Sequence, residues 1–214
     1  MVLDDAVSHH LLKVTLVPRG HRVMLFCGDA EVEAELVGVE DGRAVLEGRG
    51  PARRVASDRR LVLLVGLPRK PAWERILRMG TELGVSEFRP FVARHSVAKG
   101  DKVARWSRIC EEAARQCGRG SAPSVRAPDS SGLFDGLPSR RLVLQPGAPV
   151  GAPEAGDMAL LIGPEGGLHP DELEQAQAAG FVAAGLGDWV LRSDTAAVAA
   201  LARYSVSSMR TSMD

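Results

Sequence analysis

The chain has 214 residues, 45% hydrophobic and 25% charged, with a formal net charge of zero, the profile of an ordinary globular protein of one or two domains. No apolar run approaches the roughly 20 residues that span a bilayer, and the opening MVLDDAVSHH is too acidic and polar for a signal peptide. The neutral total hides an asymmetry: residues 1–128 hold 22 Lys+Arg against 16 Asp+Glu, residues 129–214 hold 5 against 11, and residues 49–126 hold 18 against 7. Such a basic segment is either a face for phosphates or an arginine-rich solvated surface.

Residues 1–57 read as short strands. Apolar VMLFC (23–27) is followed by EVEAELVGVE (31–40), whose alternation puts Val32, Ala34 and Leu36 on one face, and by RAVLEG (43–48) after an Asp41-Gly42 turn. From about 58 onward strands alternate with helices. LVLLVGL (61–67) is a buried strand, Pro71 opens a helix that Gly84 closes, and EFRPFVA (87–93) is the next strand. A second helix covers about 102–117, and the Pro/Ser/Gly-rich stretch 121–140 reads as a loop or crossover. RLVLQP (141–146), MALLIGP (158–164) and FVAAGLG (181–187) are further strands. A helix runs from Pro170 to Gly180 between the last two, and a final one runs from about Thr195 to Ser205. This alternation predicts an α/β fold with a mostly parallel sheet covered on both faces.

Cys27, Cys110 and Cys117 are too few and scattered for a disulfide framework. Cys110 and Cys117, seven apart on one helix, would sit roughly 10 Å apart, too far to bridge. With no CxxC, and with His9, His10, His21, His95 and His169 at no metal-binding spacing, no metal site is expected. The chain reads as reduced and cytoplasmic.

Three glycine-bearing segments fall at the C-terminal ends of predicted strands, where open α/β sheets place ligands. They are Gln145-Pro146-Gly147, Gly163-Pro164-Glu165-Gly166-Gly167 and Gly185-Leu186-Gly187. Glycines there let backbone groups approach a ligand, and Glu165 adds a carboxylate, although a strand-to-helix turn uses the same residues. The third segment runs on to Arg192 and a small-residue helix for which Ser193 or Asp194 is the natural N-cap. Arg192 offers a cation there, for a ligand or for a surface carboxylate. A P-loop, a dinucleotide-binding GxGxxG unit and a GxSxG hydrolase are all missing.

Taken in order, Ile162-Gly163-Pro164-Glu165-Gly166-Gly167 with Glu172, Leu186-Gly187, and Val190-Leu191-Arg192-Ser193-Asp194-Thr195-Ala196 resemble the RsmE family of bacterial methyltransferases, members of the SPOUT class. Thr81-Glu82-Leu83-Gly84-Val85, the stretch from Glu112 through Gln116 and Arg119 to Pro123, and His10-Leu11-Leu12-Lys13-Val14 with Gly20 add to the match, which covers nearly the whole chain. The resemblance implies a PUA-like RNA-binding β-barrel at 1–57 and a trefoil-knotted SPOUT domain at 58–214 that forms a homodimer. It implies S-adenosylmethionine as cofactor and N3 of a uridine in 16S ribosomal RNA as target, with no metal and no membrane. The cofactor pocket would draw on Leu144, Gln145, Pro146, Ile162, Gly163, Pro164, Glu165, Gly166, Gly167, Leu186, Gly187, Val190, Leu191, Arg192, Ser193, Thr195 and Ala196. Arg192 and Glu165 would serve catalysis, and Lys13, Gln116 and Arg119 would hold RNA. The chain departs from the family at Leu16, Met79, Trp189 and Asp194, where cations or a glutamate are usual. Two alternatives therefore stay open: a SPOUT enzyme acting on another RNA, and a non-catalytic relative that binds RNA or the ribosome.

Overall fold

The computed structural model describes residues 1–27, 30–54, 59–96, 102–128, 131–152 and 156–205, and the boundary expected at 57/58 lies outside them. Contacts divide the chain into two units, Met1–Ala56 with Gly118–Ser121, and Ser57–Cys117 with Ala122–Asp214. The segment 118–121 therefore groups with the N-terminal unit, although the sequence places it well inside the second domain.

In the N-terminal unit β1 (Arg22–Cys27), β2 (Ala30–Glu40) and β3 (Arg43–Gly48) pair antiparallel, and β4 (Arg53–Arg54) joins β2. The β2–β3 turn has Asp41 at φ +50° and Gly42 at φ +80°, the left-handed pair that a two-residue hairpin with the strands' own twist requires. Alternation holds over the middle of β2: Ala34 and Leu36 are buried with Ala44 and Leu46, Val23 and Leu25 pack on them, and Val32 is half-buried outside that cluster. Two features differ from the expectation. Among the described residues the strands form an open sheet rather than a closed barrel. The stretch before β1 is helical, with α1 (Asp5–His9) and one π-helical turn (His10–Val14). The Asp4 carboxylate caps α1 by accepting the Val7 N–H at 2.8 Å. A five-residue helix is too short to show a period, and it is held by tertiary contacts: Leu11 and Leu12 join the sheet's core, and the buried Ser8 hydroxyl accepts the Ala44 N–H at 3.0 Å.

The second unit is a six-stranded sheet, parallel throughout, in the order β10-β8-β9-β5-β6-β7. Its strands are β5 (Leu61–Gly66), β6 (Glu87–Phe91), β7 (Ser124–Val125), β8 (Arg140–Leu144), β9 (Met158–Ile162) and β10 (Val182–Ala184). The central β5 and β9 are buried at every residue, which is why they are continuous apolar runs. Leu61, Leu63 and Val65 face α2 (Lys70–Glu82), α3 (Val103–Gln116) and α5 (Ser193–Ser205), with Trp73 edge-on to both Phe88 and Trp106. Val62 and Leu64 face the opposite layer, where Ala176 of α4 (Pro170–Ala178) packs with Phe181 and Leu137. Replacing Leu63 by Ala would cost about 2–5 kcal/mol.

Helix punctuation follows the expected chemistry. Pro71 lies in the first turn of α2 and Gly84 follows it at φ +92°. At α4 the His169 side chain and Glu172 form a reciprocal capping box. One end is corrected. Helix α5 begins at Ser193 itself, so neither Ser193 nor Asp194 is its N-cap; Asp194 sits in the first turn, and the Ala196 N–H reaches the Arg192 carbonyl. The strands β8, β9 and β10 stop two or three residues earlier than the sequence suggests, and β7 is a short strand inside the predicted 121–140 loop. The residues lost from the three strand ends are, Gln145 and Leu186 apart, the Pro and Gly positions of the loops described next.

Candidate functional site

Strands β10, β8 and β9 are adjacent and parallel, so the loops after them emerge side by side at one edge of the sheet. Together they enclose a cavity of about 200 Å³. Its wall takes Leu144, Gln145 and Pro146 from the first loop, Ile162, Gly163, Pro164, Glu165, Gly167 and Leu168 from the second, and Ala184, Leu186, Gly187, Trp189, Val190, Leu191, Ser193 and Ala196 from the third. Fourteen of the seventeen residues expected to hold cofactor are in this wall, while Gly166, Arg192 and Thr195 are not. The expectation missed Leu168, Ala184 and Trp189, of which only Trp189 carried a signal, as a departure from the family pattern.

Close backbone packing forces several of the glycines. A Cβ on Gly185 would lie 1.9 Å from the Ala148 carbonyl oxygen, so the first and third loops cross in direct contact. The Gly185 N–H donates to the Pro149 carbonyl, and the buried Tyr204 hydroxyl donates to the Gly185 carbonyl at 2.8 Å while accepting from the Gly151 N–H at 3.3 Å. The end of α5 is thereby tied to both loops. A Cβ on Gly66 would lie 2.5 Å from Pro164 Cδ, because the second loop folds over the end of β5. At Gly167 and Gly187 space is open, and the requirement is backbone conformation, φ +74° and +121°.

The second loop is held from two sides. Glu165 is exposed, and one carboxylate oxygen accepts the Arg69 N–H at the start of α2, at 3.2 Å. On the other side Glu172 accepts the N–H groups of Arg94 (2.7 Å) and His169 (2.8 Å), and the His95 ring lies over Gly166 and reaches the Gly167 carbonyl. Gly166 is therefore required by His95 rather than by the cavity.

In the third loop Arg192 is exposed, between the wall residues Leu191 and Ser193, and its guanidinium has no partner among the described residues. Ser193 is 4% exposed and its hydroxyl oxygen lacks a hydrogen bond. Among the described residues Leu186, Gly187 and Leu191 make no backbone hydrogen bond. This concentration of unused donors and acceptors on one wall is what a hydrogen-bonding ligand needs. Asp194 points elsewhere, to Arg75 of α2 at 2.7 Å. Burial by itself raises the Asp194 carboxyl, and the Arg75 hydrogen bond, the Thr195 N–H and the Arg75 charge outweigh it, so its pKa lies below the usual value.

The residues expected to hold RNA fall in both units. Lys13 is exposed on the π-helical turn and Arg119 half-buried in 118–121, both in the N-terminal unit, whereas Gln116 is the exposed last residue of α3.

Residues 56–205 match the model of the RNA methyltransferase domain family. A ribosomal RNA small subunit methyltransferase E from Synechocystis is 31% identical over 96% of this chain and 72% of its own length. The protein of that name from Mycobacterium bovis is 30% identical over 98% and 87%. Among solved structures, the ribosomal RNA small subunit methyltransferase E from Neisseria gonorrhoeae bound to S-adenosyl methionine superposes with a TM-score of 0.82 at 29% identity, covering 94% of this chain and 89% of the other.

Proposed function

The chain belongs to the RNA methyltransferase domain family, among the ribosomal RNA small subunit methyltransferase E proteins, and we propose that it moves a methyl group from S-adenosylmethionine to N3 of a uridine in small-subunit ribosomal RNA. The observation that carries this reading is the convergence of three strand-end loops on one cavity.

The wall suits that cofactor. Unused backbone groups of Leu186, Gly187 and Leu191 would take the adenine edge, and the orphaned Ser193 hydroxyl is a further donor or acceptor on the same side. Gly163 and Gly167 would let the ligand lie against the backbone. When bound, the cofactor supplies an electrophilic methyl carbon whose sulfonium is its own leaving group, so the transfer requires no metal.

N3 of uridine is a weak acid. Methylation requires that its proton pass to water and that the charge left on the base, shared with O2 and O4, be stabilised. Arg192, exposed beside the wall with an uncommitted guanidinium, is the residue for that charge. Glu165 acts by orientation, since its hydrogen bond to Arg69 fixes the loop that carries Gly163 and Gly167. Holding the acceptor and donor atoms in line is itself worth several kcal/mol, roughly 7 or more in favourable cases.

Three finer features belong to the same reading. The trefoil knot lies where the segment after β8 crosses the end of β10 and α5, supported by the Gly185–Ala148 contact and the Tyr204 ties. The N-terminal unit acts as a PUA-like RNA-binding module with Lys13 and Arg119, and Gln116 of α3 is an RNA contact of the C-terminal unit. The protein works as a cytoplasmic homodimer through its C-terminal unit.

Mass mapping of ribosomal RNA from a strain lacking this protein tests the assignment. One uridine of the small-subunit RNA should lose a methyl group and regain it on complementation. A methyl lost instead from transfer or large-subunit RNA would reassign the substrate. An unchanged map, together with no heat of binding for S-adenosylmethionine, would end the enzyme reading.

A further inference from the structure

Trp189 is 83% exposed and Val190 80%, yet both belong to the wall of the cavity. The other two tryptophans are core residues, Trp73 at 2% and Trp106 at 5% exposure. An indole left in water at a site mouth forgoes the burial that favours so large an apolar side chain, so its occupant is sought outside the free chain. The loop that carries it is pinned at both ends: Gly185 is locked against Ala148, Leu186 packs on the core, and Ser193 starts α5. Gly187, at φ +121°, turns the tip outward. Trp189 is therefore presented from a fixed base rather than from a wandering segment.

What lies near it selects the occupant. Arg192 follows three residues later, and Arg69 sits where Glu165 of the same wall meets α2. Both arginine side chains are exposed, and neither has a hydrogen-bonding or ionic partner among the described residues. A second protein copy would leave these two cations to be paired or desolvated, whereas an RNA strand offers a nucleobase for the indole and phosphates for the guanidinium groups. Resting on the methyltransferase reading, we propose that Trp189 is a substrate-binding residue that stacks on a nucleobase of the RNA at the cavity mouth, either the extruded uridine or its neighbour. Stacking tolerates any base, so this contact supplies affinity and holds the target out of its helix, while Arg192 acts on the chemistry.

The buried state of Trp73 and Trp106 makes Trp189 a selective optical probe. On the full-length protein, unmodified small-subunit RNA transcribed in vitro should quench the exposed tryptophan emission and shield it from acrylamide. Trp189→Ala should abolish that signal and raise KM for RNA by about tenfold, with kcat and S-adenosylmethionine affinity within twofold of wild type. Trp189→Phe should recover most of the KM, since a phenyl ring also stacks. An unchanged KM in Trp189→Ala, or a fall in cofactor affinity equal to the fall in RNA affinity, overturns the proposal and leaves the methyltransferase reading standing. Shielding that grows with protein concentration in the absence of RNA also overturns it, by assigning the indole to a second copy. A wild-type chain that binds no cofactor in calorimetry removes the reading underneath, and the proposal with it.

Discussion

At the N-terminal ends of its parallel strands the α/β unit uses its charges on itself, and at the C-terminal ends it leaves polar groups unused. Glu87, at the start of β6, accepts from Arg89 and Arg60, each at 2.9 Å, and pairs with Arg126. Arg89 is 1% exposed and also donates to the carbonyls of Leu133 and Asp135, which fixes the turn at 131–136. Arg60 donates its N–H to Asp157 and a guanidinium N–H to the Gly136 carbonyl. At the opposite end of the same strands lie an orphaned Ser193 hydroxyl, idle backbone groups and an exposed Arg192. The first end, Arg59 Nε apart, is satisfied without a ligand, and the other is completed by one. Stability and binding should therefore separate when the two ends are altered.

The largest effect is expected at the satisfied end. Glu87→Gln strands two or three guanidinium groups and should lower unfolding free energy by about 3–5 kcal/mol, read from urea melts. Burial raises the Glu87 carboxyl, but the Arg89 and Arg60 hydrogen bonds and the surrounding charge win, leaving its pKa below the unfolded value. Its contribution is therefore complete above the unfolded carboxylate pKa and is lost as pH falls through the folded one. Wild type should weaken over that acid window, and Glu87→Gln should start lower and fall less. Equal acid sensitivity in both proteins would take Glu87 out of the account.

At the open end, Arg192→Ala should reduce kcat by about 10²–10³, with cofactor affinity and the melting temperature nearly unchanged. Parallel loss of methyl transfer and cofactor binding would instead make Arg192 a pocket residue. Gly185→Ala forces the crossing loops apart and should cost about 3 kcal/mol of stability together with cofactor affinity, measured by melts and calorimetry on the same sample. It is the variant that couples the two properties, because Gly185 locks the scaffold between the wall residues Ala184 and Leu186.

The smallest effect is the sharpest in sign. Ser193→Ala removes a buried hydroxyl that has no partner in the free chain, so the free protein should be unchanged or stabilised by about 1 kcal/mol, while cofactor affinity falls by about 1 kcal/mol. Loss of stability without loss of affinity would show that the hydroxyl is satisfied within the protein.

Much of this was legible in the residues. Apolar runs at 61–67 and 158–164 marked the buried central strands, Asp41-Gly42 the hairpin, and Pro71, Gly84, Pro170 and Gly180 the limits of two helices. The glycine segments marked a candidate site because they sat at predicted strand ends, and the family resemblance rested on those same segments. Asp194 stood out in the sequence as a departure where a glutamate is usual and as a candidate N-cap, whereas the fold pairs it with an arginine from α2.

What the sequence determined by itself was local: which stretches are strand or helix, where each stops, and which loops are rich enough in glycine to admit a ligand. Those properties depend on neighbours a few residues away. Only the tertiary structure decided that β8, β9 and β10 lie side by side, that Gly185 yields to Ala148, that Arg60 pairs with Glu87, and that Trp189 stands in solvent at the cavity mouth. Each of these joins residues far apart in the chain, or depends on the absence of a neighbour, and strand order and packing alone decide both.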